Sequence, residues 1–513
     1  MRGAVSLVGA GPGDPGLLTL KAKRLIEKAD LIVYDYLANP AHLRHARPDA
    51  AKLCVGRGFR HKKISQEKIN RLIVQAAQKG RQVVRLKGGD PYLFGRGGEE
   101  ALFLRSHGIP FQVVPGITSA VACATYAGIP LTHRDFSSAV TFLTGHKAED
   151  RGLDSIAWPN IVSVARGGTL VIYMGFYNLQ KIAERLIAYG MSPVTKVAVI
   201  EWGTLPRQKS CEGSLAVIAL KVAQKKLKAP CVIVIGKVVS LRDQLGWFEK
   251  LPLFGKKIVI TRTREQSVSL RERLEDLGAE VLECPTLEIK PPADFSKMDR
   301  AIRRVSGFDW VVFSSVHGVH FFFERLRALK LDARVFQDCR VAAVGPQSGA
   351  ALEKRGIRPD LIPLVFETKA IASALKKRLT NLKAKKILLV QAAIAPPDLE
   401  KNLKKQGALV ERIAAYRTLL PKSVPAGLKN FILKEPIDAV TFTSASTVDH
   451  FIKIFGPRAV KILARQAAFV SIGPVTSGAL KKWGLRAAAQ ARVFTVDGLI
   501  QALCACLRSK RKG

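Results

Sequence analysis

Short apolar runs that end at glycine-rich or polar turns recur through the first part of the chain. Such runs predict buried strands, and they lie at 4–8, 31–35, 53–55, 83–84 and 111–114. Between the first two, apolar residues recur every three or four positions over 17–26, which predicts a helix. Strands that alternate with helices in this way are typical of an α/β fold with a parallel sheet.

The pattern starts again after residues 139–143 and predicts a second α/β lobe. Its apolar runs at 169–175, 197–203 and 231–236 each end at a glycine, with helical segments between them. We therefore expect two lobes, at about 1–135 and 136–248, within a first domain of residues 1–248. Residues 249–255 are expected to form a linker to a second domain at 256–506, and 507–513 a basic tail.

An internal repeat predicts that the second domain also has two α/β lobes. Leu274–Ile289 resembles Leu403–Thr418, 129 residues later, and Phe313-Ser314-Ser315 corresponds to Phe442-Thr443-Ser444 at the same spacing. A third pair of segments, beginning Val344-Gly345-Pro346 and Ile472-Gly473-Pro474, follows in the same order. Matched segments in one order indicate two lobes of similar build.

Two glycine-rich loops in the first lobe are the best candidates for a ligand site. One spans Gly9–Gly16 and the other spans Gly88–Gly98, and each follows a predicted strand. Glycine lets the backbone turn tightly and approach a ligand closely, and loops at strand ends are where open α/β sheets bind ligands.

The charge is unusual, because 82 Lys and Arg residues face 41 Asp and Glu residues and give a net charge of +41. A field of this sign attracts polyanions, either nucleic acid or a polycarboxylate metabolite. Cations are spread along the chain, only the tail Arg508–Lys512 is compact, and no nucleic-acid motif accompanies them. The eight cysteines form no CxxC pair, which indicates a reduced, cytoplasmic protein without a metal site. No secretory signal or apolar run of 18 residues is expected.

A dinucleotide-binding enzyme is one alternative. Gly11, Gly13 and Gly16 match the spacing of that fingerprint, and Asp35 falls about where a ribose-binding acid is expected. Pro12 and Pro15 have no backbone N–H to offer a pyrophosphate, which disfavours it.

Residues 3–248 resemble the uroporphyrinogen-III C-methyltransferases of the tetrapyrrole methylase family. The resemblance rests on Val8–Lys21, Val33-Tyr34-Asp35, Gln66–Asn70, Arg85–Glu100, Val113–Ala120, Ala127–Asp135, Thr144-Gly145-His146 and Tyr173-Met174-Gly175. It implies the two-lobed methylase fold and S-adenosylmethionine as methyl donor. It also implies a set of donor-binding residues: Pro12, Gly88, Gly89, Asp90, Leu93, Thr118, Ser119, Met174 and Gly203.

The same resemblance implies that Asp35 accepts a proton during methylation of a pyrrole carbon, unless this carboxylate only orients loops. The chain has Arg57 where the family usually has lysine; arginine cannot release a proton, so it is expected to clamp a substrate carboxylate instead. Tyr36 and Trp202 replace a common arginine and asparagine. Substrate carboxylates are expected to contact some of the following residues: Arg57, Arg60, His61, Lys87, Arg96, His133 and Arg134.

Residues 256–506 resemble uroporphyrinogen-III synthase. The resemblance rests on Ile260-Thr261-Arg262, Phe313-Ser314-Ser315, Val344-Gly345-Pro346, Ala415–Thr418, Phe442-Thr443-Ser444 and Ile472-Gly473-Pro474. It implies a synthase-like α/β fold with one lobe of 256–288 plus 420–506 and another of 290–418. The reaction closes hydroxymethylbilane with loss of water and inversion of the last pyrrole ring.

The synthase resemblance implies a positioning site that needs no cofactor. Tyr416 is the candidate for assisting hydroxyl departure, or is simply a buried hinge tyrosine. The expected substrate hydroxyls are Thr261, Ser315, Ser348, Ser444 and Thr476, although Ser and Thr also cap helices regardless of function.

Together the two resemblances imply consecutive reactions, from hydroxymethylbilane through uroporphyrinogen III to the dimethylated precorrin-2, on the sirohaem and cobalamin branch. The eight carboxylates of uroporphyrinogen III give the positive charge a partner without nucleic acid or a membrane. The methylase half suggests a homodimer. A methyltransferase with a degenerate synthase half, a basic nucleic-acid-binding protein and a dinucleotide-binding protein are the alternatives.

Overall fold

A computed structural model describes residues 3–56, 64–145, 153–262, 264–363, 368–379, 382–421, 424 and 426–509. The chain divides into two compact units. The first contains Met1–Ile258 and Glu272–Val281, together with the C-terminal residues from Leu507. The second contains Val259–Arg271 and Leu282–Cys506.

Helices and strands alternate along most of the chain. The strands are β1 (Ala4–Gly9), β2 (Leu31–Tyr34), β3 (Ala51–Cys54), β4 (Gln82–Lys87), β5 (Phe111–Val114), β6 (Val140–Thr144), β7 (Thr169–Tyr173), β8 (Lys196–Glu201), β9 (Lys209–Ser214), β10 (Cys231–Ile235), β11 (Lys257–Ile260), β12 (Glu280–Glu283), β13 (Glu288–Lys290), β14 (Trp310–Phe313), β15 (Arg340–Ala343), β16 (Lys386–Ala392), β17 (Leu409–Leu419), β18 (Ala439–Phe442), β19 (Ala468–Ser471) and β20 (Ala489–Gln490).

The α-helices are mostly short and lie between successive strands. They are α1 (Leu20–Lys28), α2 (Gln66–Gln78), α3 (Gly97–Ser106), α4 (Ser119–Tyr126), α5 (Trp158–Ala165), α6 (Leu179–Ala188), α7 (Ile218–Gln224), α8 (Arg242–Leu245), α9 (Arg264–Asp276), α10 (Ser296–Arg303), α11 (Val316–Ala328), α12 (Pro346–Glu353), α13 (Thr368–Leu379), α14 (Asp398–Lys405), α15 (Ala426–Lys434), α16 (Ala445–Phe455), α17 (Pro457–Gln466), α18 (Pro474–Lys482) and α19 (Val496–Ser509).

The first lobe of the first unit is built on a five-stranded sheet with the order β3-β2-β4-β1-β5. All of its strand pairs are parallel. Parallel strands point their carboxyl ends to one edge of the sheet, where ligands bind in open α/β folds. The loops after β1, β2, β4 and β5 therefore share that edge, and these are the loops to which the sequence assigns donor binding and proton transfer.

The second lobe of the first unit has a mixed sheet with the order β6-β7-β10-β8-β9. Strand β10 pairs antiparallel with both β7 and β8, and β9 is an antiparallel edge strand. The apolar pattern does not predict β9, because Cys211 is its one fully buried residue. An edge strand with one packed face carries little hydrophobic signal.

The two remaining sheets repeat one design, and their α/β character confirms the predicted fold class. One sheet has the order β12-β11-β18-β19-β20 and the other has the order β13-β17-β16-β14-β15. The repeated segments place β12, β11, β18 and β19 in correspondence with β17, β16, β14 and β15, which occur in the same spatial order. Phenylalanine side chains fill both cores: Phe313, Phe322, Phe442, Phe451 and Phe469.

The segment at 249–255, expected to be a linker, is packed into the first unit. Leu253 is fully buried, and its backbone N–H donates to the carbonyl of Leu277 at 2.9 Å. The Glu249 carboxylate accepts hydrogen bonds from Gln208 and Ser210. These contacts make the segment part of a folded unit rather than a free connection.

Candidate functional site

Three glycines bring the loops after β1, β4 and β5 into backbone contact. A Cβ added to Gly116 would lie 2.2 Å from the carbonyl oxygen of Gly89, and one added to Gly9 would lie 2.5 Å from the Cα of Gly116. Gly11 and Gly89 exchange two backbone hydrogen bonds, at 3.2 and 2.7 Å. The close approach leaves no room for any other residue type at Gly9 or Gly116.

Asp90 fixes the shape of the second glycine loop. One of its carboxylate oxygens accepts the N–H groups of Tyr92 and Leu93, at 2.8 and 3.1 Å. The other accepts the N–H of Gly116, at 3.0 Å. This side chain therefore links the two loops to each other. Asp90 is one of the predicted donor-binding residues, and these contacts fix its position.

Space remains beside Gly89, at the start of α4. A Cβ added to Gly89 would meet only the N of Ser119 at 3.8 Å and the Cα of Thr118 at 3.9 Å. Gly89 itself has φ of +67°, which glycine adopts without strain. Four predicted donor-binding residues, Gly89, Asp90, Thr118 and Ser119, are thus brought together.

Tyr173, at the end of β7, joins the second lobe to this site. Its hydroxyl lies 2.5 Å from the Thr118 hydroxyl and accepts the N–H of Ala120 at 3.1 Å. Burial raises the pKa of Tyr173, which keeps it protonated. The following residue, Met174, is half-exposed. Met174 is among the residues predicted from the sequence to bind the donor, but Tyr173 is not. The signal for Tyr173 was its position at the end of a buried strand, just before Met174-Gly175.

The loop after β8 also packs against the first lobe. A Cβ on Gly203 would lie 2.3 Å from the Cys123 sulfur on α4, so this predicted donor-binding residue sits tightly on the helix. The Thr204 hydroxyl accepts the N–H of Asp14 at 3.0 Å, and the Tyr126 hydroxyl donates to the Asp14 carboxylate at 2.6 Å. The first glycine loop, which contains Pro12, is therefore held from both lobes.

Backbone strain is concentrated in these loops. Non-glycine residues with positive φ include Phe94, Arg96, Met174, Trp202 and Thr204, with φ between +48° and +68°. A left-handed conformation costs a side-chain-bearing residue of order 1–3 kcal/mol and tends to occur at functional sites. All five lie within the three loops that carry predicted donor-binding residues.

Asp35, the predicted proton acceptor, directly follows β2 and is hydrogen-bonded to a buried arginine. One of its carboxylate oxygens accepts a hydrogen bond from the Arg85 guanidinium at 2.6 Å, and its side chain is 30% exposed while that of Arg85 is 2% exposed. Although burial alone would lower it, the pKa of Arg85 is raised because Asp35 and Glu100 stabilise its charge. Asp35 therefore has one fixed oxygen and a partly exposed carboxylate.

Glu100 is the centre of a buried ionic network. One oxygen of its carboxylate accepts hydrogen bonds from Arg85 at 3.1 Å, Lys87 at 2.9 Å and Gln66 at 2.8 Å. Lys87 is 3% exposed and paired with Glu100, so it is not one of the cations in that set that are open to a substrate carboxylate. Burial, and then the nearby Arg85 charge, lower the pKa of Lys87.

The remaining cations assigned to substrate are placed differently. Arg96 is exposed and pairs with Glu99 at 2.6 Å, and His133 forms a tight turn with Ser137 that leaves Arg134 exposed. Arg96 belongs to the second glycine loop, whereas His133 and Arg134 lie outside both glycine loops. Arg57, Arg60 and His61 lie outside the described residues.

The structure disfavours the dinucleotide-binding alternative, because backbone N–H groups of its glycine fingerprint are already hydrogen-bonded within the protein. The Gly11 N–H donates to Gly89, the Gly16 N–H donates to Asp14 at 2.7 Å, and Asp35 pairs with Arg85. Helix α1 begins at Leu20, after the glycine loop has ended. A pyrophosphate cradle needs free N–H groups at a helix start, and these donors are already used.

His42 is a buried histidine that the sequence did not single out. Its side chain is fully buried, and neither ring nitrogen has a hydrogen-bond partner among the described residues. Burial, and then the charges of Arg44 and His45, lower its pKa to about 4, while the nearby Ala10 backbone opposes this shift. The ring is therefore neutral in the folded protein near neutral pH.

This histidine predicts that the first unit loses stability in mild acid. Unfolded histidine titrates near pH 6.5. Between pH 6.5 and about 4, proton binding therefore lowers the free energy of the unfolded chain but not that of the folded protein. Stability is fully present above pH 6.5 and falls by about 3 kcal/mol as the pH approaches 4. Denaturation of His42→Leu should show a pH dependence flatter by that amount, whereas parallel curves would contradict the assignment.

In the second unit, Tyr416 and Ser315 form one hydrogen-bonded pair. The Ser315 hydroxyl donates to the Tyr416 hydroxyl at 3.0 Å and accepts the Gly318 N–H as the cap of α11. Tyr416 is buried among the aromatic residues of its core. Burial raises its pKa although Ser315 opposes the shift, so the phenol keeps a proton that it can donate.

The other four hydroxyls assigned to the synthase site have structural partners or are buried. Thr261 is fully buried and donates to the Thr441 carbonyl at 2.8 Å. Ser444 caps α16 in a reciprocal arrangement with Thr447. Ser348 and Thr476 are buried in the first turns of α12 and α18. Capping thus accounts for Ser315 and Ser444.

Tyr416→Phe tests whether the phenol assists ring closure. Loss of one neutral hydrogen bond is worth about 1 kcal/mol, so we expect kcat of the closure step to fall about fivefold if the phenol touches the departing hydroxyl. Methylation of added uroporphyrinogen III is the internal control and should not change. An unchanged closure rate would leave Tyr416 a core residue.

Over the residues that the structure describes, no helix is both long and apolar enough to cross a bilayer. The same residues contain no group of three His, Cys, Asp or Glu side chains that could hold a metal ion.

Two family models match the chain in succession. The model for tetrapyrrole (corrin/porphyrin) methylases matches residues 4–219, and the model for uroporphyrinogen-III synthase HemD matches residues 268–501. The first match contains all of the glycine loops, and the second contains Ser315 and Tyr416.

Relatives of known description cover the whole chain or its first half. A porphyrin biosynthesis protein HemD of Ruminiclostridium josui is 37% identical over 98% of both chains. A uroporphyrinogen-III C-methyltransferase of Bacillus subtilis is 41% identical over 70% of this chain and 74% of that one. A siroheme synthase of Pseudomonas paraeruginosa is 51% identical over 48% of this chain and 52% of that one. A solved uroporphyrin-III C-methyltransferase of Thermus thermophilus is 39% identical over 48% of this chain and 97% of that one, with a TM-score of 0.40.

The chain belongs to the family of two-part tetrapyrrole biosynthesis enzymes in which a tetrapyrrole methylase precedes a uroporphyrinogen-III synthase. Both resemblances seen in the sequence are thereby confirmed.

Proposed function

We propose that the first unit transfers methyl groups from S-adenosylmethionine to two pyrrole carbons of uroporphyrinogen III, giving precorrin-2. The observation that carries this proposal is the meeting of the glycine loops with Thr118, Tyr173 and the partly exposed Asp35. Precorrin-2 is an intermediate of the sirohaem and cobalamin branches.

The residues around Gly89 fit a sulfonium donor. Gly89 leaves space in front of Thr118 and Ser119, hydroxyls orient polar groups, and the partly exposed Leu93 and Met174 provide apolar cover. S-adenosylmethionine supplies an activated methyl group when bound. Asp35, with one oxygen held by Arg85, is proposed to take the proton that the methylated pyrrole releases.

We propose that the second unit closes hydroxymethylbilane to uroporphyrinogen III. The neutral Tyr416 phenol, oriented by Ser315 at 3.0 Å, is proposed to donate a hydrogen bond to the departing hydroxyl. The lone pair of the pyrrole nitrogen drives the departure of this substrate hydroxyl. The protein's main contribution is therefore to hold the linear substrate in a closed shape.

The proposed reactions also give the net charge of +41 a role. Substrate and product carry eight carboxylates, and a positive field increases the encounter rate with such anions. A basic protein of this kind needs no nucleic acid as partner. Steep, salt-dependent binding of duplex DNA would instead favour a nucleic-acid function.

The deciding experiment supplies the full chain with hydroxymethylbilane and S-adenosylmethionine, without oxygen, and follows the products by mass. We expect a dimethylated macrocycle with the last ring inverted. Omission of the methyl donor should stop the reaction at uroporphyrinogen III. Added uroporphyrinogen III should be methylated without the linear substrate.

Each half can fail separately in this assay. A macrocycle without ring inversion means that closure was not catalysed, which supports the alternative of a degenerate synthase half. An inverted but unmethylated macrocycle contradicts the methyltransferase assignment. Light scattering of the same sample tests the proposed homodimer.

A further inference from the structure

Three side chains at the carboxyl edge of the first sheet form a cluster that no role described above uses. Tyr36 follows Asp35 directly, and its ring lies edge-on to that of Trp202, with centroids 6.4 Å apart and planes at 71°. The guanidinium carbon of Arg207 lies 3.8 Å from the centroid of the Trp202 ring.

The backbone on both sides of this aromatic–arginine cluster is fixed. A Cβ added to Gly56 would lie 2.3 Å from the backbone nitrogen of Tyr36, so the end of β3 packs closely against it. Trp202 has φ of +48°, and the next residue, Gly203, is pressed against Cys123. A bulky residue held in a left-handed conformation costs stability, which is typical of a functional position.

The cluster presents unused binding capacity. Tyr36 is 41% exposed, and Arg207 makes no ion pair with any carboxylate among the described residues. The Trp202 ring covers the face of the guanidinium, while the N–H donors lie in its plane. A stacked guanidinium therefore keeps the fork with which arginine binds a carboxylate.

We propose that Tyr36, Trp202 and Arg207 position the tetrapyrrole for methylation, a role that rests on the function proposed above. Arg207 binds one peripheral carboxylate, and the two aromatic edges contact the adjoining pyrrole. Because Asp35 precedes Tyr36 in the chain and Gly203 follows Trp202, the cluster joins the loop of the proton acceptor to a donor-binding loop. It thereby sets which pyrrole carbon is presented for reaction.

Arg207→Gln tests the carboxylate contact in the full chain. We expect KM for uroporphyrinogen III to rise about tenfold, the effect of one charge-assisted contact, while KM for S-adenosylmethionine and the thermal midpoint stay unchanged. Trp202→Leu should raise the share of monomethylated product as well, because the macrocycle is no longer held in one orientation.

Arg71→Gln is the matched control, because it removes another exposed arginine charge, on α2, where Arg71 pairs with Glu67. It should leave KM unchanged. Equal changes in KM for Arg71→Gln and Arg207→Gln would reduce the effect to general charge and overturn the proposal. A fall in kcat without a change in KM, or weaker donor binding, would overturn it as well.

Direct binding separates this inference from the proposed function. Uroporphyrin III, a stable analogue with the same eight carboxylates, should quench tryptophan fluorescence on titration and bind Arg207→Gln about tenfold more weakly than the unchanged chain. If the unchanged chain makes no methylated product but shows this difference, the proposed function fails and the binding cluster stands. If both proteins bind equally, the cluster is not a binding site.

Discussion

Asp35→Asn is expected to lower kcat for methylation about 10²- to 10⁴-fold, the usual range for loss of a positioned proton acceptor. Asparagine keeps an oxygen that can accept the hydrogen bond from Arg85, made at 2.6 Å in the unchanged protein. It cannot take a proton from the methylated pyrrole. Initial rates with added uroporphyrinogen III measure the effect.

Two controls separate this role from loop support. Closure of hydroxymethylbilane, the reaction proposed for the second unit, should proceed at the unchanged rate. Binding of S-adenosylmethionine, measured by calorimetry, should also persist. A fall in kcat smaller than about threefold would mean that Asp35 is only an anchor for Arg85, well below the range for acid–base catalysis.

Glu100→Ala is expected to destabilise the first unit by about 3–5 kcal/mol, because it leaves two buried cations without their shared partner. Arg85 and Glu100 are each 2% exposed, and Lys87 is bonded to the same carboxylate oxygen. Asp35 then remains as the one described carboxylate bonded to Arg85. Denaturant unfolding of the full chain, monitored for the first unit, gives the free energy.

Neighbouring and compensating variants make this prediction sharp. Glu99→Ala removes the adjacent carboxylate, which is 56% exposed and pairs with the exposed Arg96, and should cost no more than about 1 kcal/mol. Lys87→Met combined with Glu100→Leu removes one cation together with the anion and should recover part of the loss. The network is unimportant if Glu99→Ala and Glu100→Ala have equal effects.

The contrast between Lys87 and the strands around it shows how far the sequence predicts this fold. Apolar runs predicted the parallel sheet, because a strand buried on both faces must be apolar. The same alternation cannot tell an exposed cation from a buried, paired one. The partner of Lys87 is Glu100, thirteen residues away on the next helix, and only the folded chain brings the two together.

The site was predictable where backbone geometry demands a residue type. Gly9 is required by the close approach of two loops and Gly89 by its φ of +67°, and both lie in the glycine-rich loops that the sequence predicts as a ligand site. Hydroxyls were ambiguous, because Ser315 and Ser444 cap helices whether or not a substrate is present. Tyr36 and Trp202 meet across two lobes, a contact between residues more than 160 positions apart that spacing alone cannot predict.

The strand order of the second unit has a consequence for synthesis on the ribosome. Strands β11 and β12 emerge early, but their sheet also needs β18 and β19, which begin at Ala439 and Ala468. The sheet that runs from β13 to β17 is complete once Leu419 has emerged. The later-starting lobe can therefore fold first, while the edges of the earlier strands stay unpaired and open to aggregation until β18 has emerged.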